Sequence, residues 1–390
     1  MNEQQVVLHQ GVYKKIATVP EAIFMITGLT IGAGVLGVPY VVAQVGLFIG
    51  ILYILFLGLA MLSLNLMIGE IAVRTKEPTQ LPGFAGKYLG GWAKKILSIT
   101  IVFTGIGALL AYIVGEGETL AMVFGGDKIV WSAVFWSIAG FFVWQGLQTA
   151  KKAEKIVSFT VIAIICGLSI YLLPKVETVN FFHSNLSKIF LPYGVILFAL
   201  NATPAVVAAH ALLPGSQRHF RKAVIIGTII PIVVYILFAL ATVGVNGLET
   251  TEVATVGLGK KLGDGVLVIG NIFASLAMFS CFIGMGIALK QTLVWDHKVR
   301  SWLAGLFVIS APLFLFLLGI RNFVAILDIV GGLFIGIEAV LMILVCYMAR
   351  KKSDLDASRY GLNNFWLLAI PVLLIFSFAT VYSIIKLIIK

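Results

Sequence analysis

Four carboxylates, Glu116, Glu118, Asp328 and Glu338, lie inside long apolar runs of the sequence. An ionisable group is expensive in hydrocarbon, and where one is kept it marks a proton or solute pathway. Removal from water disfavours the charged form of a carboxyl group, so such a residue can hold a proton until an opening readmits water. Glu116 stands four residues past Tyr112, a spacing that puts both on one helix face. Glu118 is turned away from Glu116 by roughly 200° on a 3.6-residue helix, and Asp328 reads as a solvated charge near an outer rim, with a latch to Arg321 as the alternative. Glu116 and Glu338 are the two candidates for carrying a proton through the apolar interior.

A second chemistry is written in backbone rather than in side chains. The stretch "TIGAGVLGVPY" places Gly32, Gly34, Gly37 and Pro39 within one apolar run. In a helix interior glycine costs roughly 1 kcal/mol and proline about 3 kcal/mol relative to alanine. The stretch "PYGVILFALNATPAVV" sets Asn201, Thr203 and Pro204 at the middle of another run, where Pro204 frees the carbonyl of Leu200. Freed backbone groups survive at membrane depth only where they line a cavity or are buried in protein. A broken helix exposes carbonyls with partial negative charge on one side of the break and amides with partial positive charge on the other. Those poles match the ammonium and carboxylate of a free amino acid without any charged side chain. Close packing of Gly28 and Gly32 at a spacing of four is the competing explanation for the first run, but it leaves the second, matched interruption unexplained. On this reading Gly34→Leu fills the break, and Gly50→Leu on the next helix is tolerated.

The elements that must hold these residues follow from composition. Of 390 residues 60% are hydrophobic and 12% charged, with a mean hydropathy of +1.05; a soluble domain carries about 25% charge. A bilayer core needs about 20 apolar residues per helix, and eleven segments qualify: 21–44, 46–69, 96–121, 129–148, 156–174, 189–213, 221–246, 265–290, 301–320, 322–348 and 362–388. Residues 1–20 are too polar to read as a secretory leader. The interrupted segments are the first and the sixth. An offset of five helices reverses orientation, so an inverted repeat is expected over about 21–174 and 189–348, with an extra helix over about 362–388, in one transmembrane domain spanning 1–390. With a cytoplasmic N-terminus, 20 of the 28 Lys and Arg fall on the inside against 8 outside. This bias sets the expected orientation, N-terminus in and C-terminus out. It also accounts for the net charge of +11 without a nucleic-acid partner. Cys166, Cys281 and Cys346 all lie in apolar segments with no metal-ligand spacing.

The run "GLTIGAGVLGVPY", with Gly32-Ala33-Gly34-Val35-Leu36-Gly37-Val38-Pro39, resembles the first helix of the amino acid/auxin permease family and its bacterial relatives, the hydroxy and aromatic amino acid permeases. "FALNATPAVV" is similar to the sixth helix of that family, and "LPGFAGKYLGGWAKK" and "GALLAYIVGEGETL" resemble the wider amino acid–polyamine–organocation superfamily. The resemblance implies an all-α polytopic protein of the LeuT type: eleven transmembrane helices in a five-plus-five inverted repeat, with helices one and six broken. It implies that the amides of Gly32, Ala33 and Gly34 hold a substrate carboxylate, and that Leu200, Asn201, Ala202 and Thr203 meet the ammonium and side chain. Phe198 would form an aromatic lid, and Tyr112 would face the substrate from the third helix. A sodium site, as in sodium-coupled members, would use the carbonyls of Gly28 and Ile31 with Ala277, Ser280 and Cys281. A thiol is a poor ligand for a hard cation, so proton and sodium both remain open as the coupling ion.

The reading is a secondary active symporter of neutral, hydrophobic or aromatic amino acids, working by alternating access in the plasma membrane as a monomer, with no cofactor beyond the coupling ion. The alternative is a membrane nutrient receptor subunit of the same fold that binds amino acids without net transport. An enzyme is disfavoured: of five histidines only His210 lies well inside a span, and no catalytic or metal-ligand spacing accompanies it.

Overall fold

A computed structural model describes residues 18–77, 79–145, 150–213, 216–295 and 298–389. Among them there is no strand; the chain is a bundle of helices. The first expected segment is two helices, α1 (Val19–Thr30) and α2 (Gly34–Val45), bent by 57° at a three-residue break. The Glu21 carboxylate accepts a hydrogen bond from the Thr18 amide at 2.9 Å and so starts α1. Gly46, at φ +110°, turns the chain from α2 into α3 (Leu47–Arg74). After a short helix, α4 (Leu81–Leu89), come α5 (Gly91–Phe124), α6 (Lys128–Gln145) and α7 (Ala150–Leu172).

The sixth expected segment is again two helices, α8 (Leu191–Ala199) and α9 (Thr203–Leu212). They are followed by α10 (Gln217–Asn246), a short α11 (Ala254–Leu262), α12 (Asp264–Trp295) and α13 (Ser301–Leu317). The next span runs through α14 (Phe323–Ile329), a π-helical turn at Val330–Ile335, and α15 (Gly336–Lys351), and α16 (Phe365–Ile389) closes the chain. Among the described residues seven helical stretches are long and apolar enough to cross a membrane, and the α1/α2 pair makes an eighth. The helices at 129–148, 156–174 and 301–320 are shorter among the described residues.

The packing sorts into two groups. In one, α1 and α3 each lie against α10; in the other, α5 lies against α6 and α12. Pro231, inside α10, cannot donate to the carbonyl of Gly227. Thr27 of α1 supplies that bond from its hydroxyl at 3.3 Å, and Asn65 of α3 donates to Thr228 at 3.1 Å. A helix flaw is thus turned into a three-helix joint.

At the basic end of the bundle the Glu70 carboxylate of α3 is buried and takes two bonds each from Arg74 and Arg350, all at 2.8–3.0 Å. Arg350 also bonds the carbonyl of Leu362, which ties α3, α15 and the lead into α16 together. Beside them Lys87 hydrogen-bonds Asp354 and holds its carboxyl below the usual carboxylate range.

One expectation is overturned here. Gly50 faces α2: a Cβ added to it would lie 2.6 Å from Cγ1 of Val42. Gly50→Leu is therefore not a neutral control. Overpacking of this kind costs about 1–3 kcal/mol, and the expected result is a clear drop in melting temperature of the purified protein.

Candidate functional site

The two breaks run antiparallel and touch. The Asn185 amide bonds the carbonyl of Val45 at 3.0 Å, and Lys188 reaches Gln44, so the end of α2 lies beside the lead into α8. At the other end, a Cβ on Gly34 would lie 2.7 Å from Cα of Ala199. The start of α2 is thus pressed against the end of α8, and only glycine permits that approach. Gly34 keeps two backbones together as well as opening one.

At the first break Ile31 leaves helical geometry (φ −80°, ψ 79°), and the Gly32 amide turns back to Thr30 at 2.9 Å. The amides of Val35 and Leu36 bond the carbonyls of Gly32 and Ala33. The head of α2 is therefore the amides of Ala33 and Gly34, which as a helix N-terminus lack intrahelical acceptors. At the second break Leu200 and Asn201 bond back to Ile196 and Phe198, and Ala202 leads into α9. The Asn201 side chain caps α9, accepting from the Thr203 amide at 3.2 Å and lying 2.9 Å from its hydroxyl.

Two groups from elsewhere close the site. The Tyr235 hydroxyl of α10 sits 2.9 Å from the carbonyl of Thr30 and 2.9 Å from that of Ala199. These carbonyls end α1 and α8, so two negative helix ends converge on one phenolic proton. Glu338 of α15 is buried, and its Oε1 lies 2.5 Å from the Thr203 hydroxyl. The π-helical turn precedes Glu338 by one helical turn. Gly331 within it packs backbone to backbone on Gly194 of α8, where a Cβ would strike the Gly194 carbonyl.

The remaining expected residues divide. Gly32 faces Cys281, whose sulfur would be 2.7 Å from an added Cβ, and the Cys281 thiol lies close to the phenols of Tyr112 and Tyr235. Phe198 is half-buried against Gly34. Ala277 is buried and Ser280 half-buried on α12, on the helix that carries Cys281, and Gly28 and Ile31 lie on the α1 side of the break. Glu116 is not drawn to the breaks. It is buried where α5 packs on α12, near Ser275, with Oε2 lacking a partner among the described residues. Glu118 lies at the helix end 3.5 Å from Lys128.

Asp328 corrects another expectation: it pairs with Lys386 of α16 at 2.6 Å, while Arg321 bonds the carbonyl of Phe316. The sequence of the breaks also holds no charged group, yet the fold delivers the Glu338 carboxyl to one of them.

Tyr235 was missed by sequence reasoning. The available signal was a phenol in a run of Ile, Val and Leu, four residues after Pro231, because a buried Tyr hydroxyl requires a partner. Tyr235→Phe removes the phenolic proton offered to the two helix ends and strands buried carbonyls, at a cost of about 1–3 kcal/mol. The expected outcome is a lowered melting temperature together with weakened amino acid binding. Loss of stability with unchanged affinity would make the clasp purely structural.

Paired broken helices packed antiparallel at the middle of an apolar bundle define a transporter fold of the LeuT type. The backbone superposes on the crystal structure of MhsT in complex with L-phenylalanine with a TM-score of 0.68, covering 94% of this chain and 100% of that one at 15% identity. The chain belongs to the tryptophan/tyrosine permease family, whose profile matches residues 15–383. It is 24% identical over 380 residues to tyrosine-specific transport system 1 of Haemophilus influenzae, covering 90% of this chain and 92% of the relative. It is also 24% identical over 347 residues to glutamine transporter 2 of Aliivibrio fischeri, covering 84% and 88%. The protein is accordingly a multi-pass membrane permease of an amino acid transporter family.

Proposed function

We propose that this permease is a proton-coupled symporter of neutral amino acids, with hydrophobic or aromatic side chains favoured, that works by alternating access in the plasma membrane. The substrate carboxylate is assigned to the amides of Ala33 and Gly34; the Gly32 amide, expected as a third donor, is already bonded to the Thr30 carbonyl. Its ammonium is assigned to the carbonyl ends beside Leu200, Asn201 and Ala202, and its side chain to the space flanked by Phe198, Tyr112 and Thr203. A tyrosine and a glutamine transporter among the relatives support a neutral substrate.

The observation that carries the proton reading is a count of hydrogens. The Thr203 hydroxyl has one proton and two oxygen neighbours, Oδ1 of Asn201 and Oε1 of Glu338. The Thr203 amide fixes Oδ1 as an acceptor. When Thr203 donates to an ionised Glu338, its contact with Asn201 lacks a hydrogen; a protonated Glu338 can donate to Thr203 while Thr203 donates to Asn201, so protonation completes both contacts. A protonated Glu338 thereby caps α9 through two side chains, and its deprotonation puts an unmatched charge at the break. This ties the protonation state to the geometry of the substrate-binding backbone. Glu116 is the second candidate carboxylate, placed between α5 and α12 rather than at the breaks.

The alternative coupling ion, sodium, would use Gly28, Ile31, Ala277, Ser280 and Cys281, and the thiol at Cys281 weighs against it. The test is uptake of labelled phenylalanine, tyrosine, tryptophan and glutamine into proteoliposomes under an imposed pH gradient or an imposed sodium gradient. Accumulation under the pH gradient alone is expected. Accumulation that requires sodium would replace the proton reading. Binding without accumulation under either gradient would make the protein a nutrient receptor of this fold.

A further inference from the structure

We propose that the cleft between the end of α15 and the start of α16 binds the phosphate-bearing headgroup of an anionic phospholipid, whose acyl chain lies along the outer face of α16. The cleft encloses about 480 Å³. Its lining includes Arg350, Lys351, Asn363 and Asn364, with Tyr347 and Trp366 as aromatic walls, and holds no carboxylate. Two cations and two amides around one space without a carboxylate make a donor-rich, positively charged lining.

The charge behind the cleft is also positive. Among the described residues Glu70 is the carboxylate that reaches Arg350, and it is shared with Arg74, so one carboxylate there meets two guanidinium groups. Arg350 is occupied by Glu70 and the carbonyl of Leu362. Lys351 is exposed, with its ammonium 4.3 Å from the centre of the Tyr347 ring. Lys351 and the two amides are therefore the groups that meet the ligand, and Arg350 supplies field.

A lipid is distinguished from a free phosphate by what adjoins the cleft. Trp366 is 56% exposed and lies tilted against Tyr347 with ring centres 5.3 Å apart, and such aromatic side chains are enriched at a bilayer interface. From there Leu367, Ile370, Leu374 and Phe378 continue along one face of α16, all exposed. A donor-rich pocket opening onto an apolar stripe has the two-part shape of a lipid, and basic pockets between spans at the cytoplasmic side suit anionic headgroups. The cleft lies twelve residues beyond Glu338 on one span, about 18 Å at 1.5 Å per residue, so it is separate from the transport site.

The test uses the full-length protein purified in detergent and native mass spectrometry with phosphatidylglycerol and phosphatidylcholine of matched chains. Wild-type protein is expected to retain phosphatidylglycerol in preference. In Lys351→Gln with Asn364→Ala that retention falls about fivefold or more, whereas Lys128→Gln at the opposite end leaves it intact. Equal retention of the two lipids, or a preference unchanged by the double substitution, would overturn the proposal. Because Lys351 and Asn364 are exposed, melting curves of the variant are expected to match wild type; if they do not, the lipid preference of the wild type decides. Thermal stabilisation by inorganic phosphate equal to that by phosphatidylglycerol would assign the cleft to a free anion instead. The readout is binding, so it stands or falls independently of the transport reading.

Discussion

Gly34→Leu is expected to reduce amino acid uptake to the level of protein-free proteoliposomes. The reason lies in what the new side chain meets. At most glycines in a bundle an added Cβ presses on the flexible tip of a neighbour, which can swing aside. At Gly34 it meets Cα of Ala199 at 2.7 Å and the Ala199 methyl at 3.0 Å. Backbone cannot rotate away, so α2 and α8 must separate. Separation moves the amides of Ala33 and Gly34 from the carbonyl end of α8 and pulls Ala199 from the Tyr235 hydroxyl.

Overpacking in a well-filled core costs about 1–3 kcal/mol, so the variant is expected to fold with a lowered melting temperature. Gly34→Ala guards against simple misfolding. Its single methyl meets the same two atoms, and binding is expected to weaken about tenfold, which corresponds to about 1.4 kcal/mol. Ala199→Gly takes away the opposing methyl but leaves the opposing backbone in place, so it should restore the alanine variant only in part. Wild-type uptake by the Gly34→Leu protein would sink the assignment of this break as the binding site.

Much of this was legible in the chain. Apolar length and the glycine and proline interruptions marked the long helices and both breaks, because each signal is local: a helix needs its run, and a break needs its Gly or Pro. The tertiary partners were not local. Tyr235 looks like any tyrosine in a hydrophobic run until α10 is set between α1 and α8. Gly50 was expected to be tolerant because it lies on the helix after the break, yet Val42 comes back against it after the turn at Gly46. Asp328 had Arg321 seven residues away, but the bend after α13 turns Arg321 onto Phe316 and the last helix brings Lys386. Glu338 was marked by its depth in an apolar run, and what the sequence could not say was which atom it would touch. The π-helical turn at 330–335 shifts the register of everything after it, and no spacing rule for an ordinary helix anticipates where residue 338 then points.

Glu338→Gln should separate exchange from accumulation. Glutamine keeps the size of the side chain, and its amide can donate permanently to the Thr203 hydroxyl, so it imitates the protonated carboxyl without being able to release the proton. The Thr203–Asn201 cap on α9 is then held in every condition. Substrate binding is expected to stay within a few-fold of wild type, and exchange of labelled for unlabelled amino acid across the membrane should persist. What should vanish is accumulation driven by a pH gradient, because nothing at the break changes charge as the site turns from one side to the other.

The sign is fixed by the direction of the gradient. With the outside acidic, the proposed cycle has wild-type protein load a proton outside, release it inside and concentrate substrate inside, and the variant is expected only to equilibrate it. Glu116→Gln is the contrasting control: Glu116 lies near Ser275 of α12 rather than at either break, so its loss should leave pH-driven accumulation standing. If Glu338→Gln accumulates like wild type and Glu116→Gln does not, the proton path runs between α5 and α12, and the contact with Thr203 is only a helix cap.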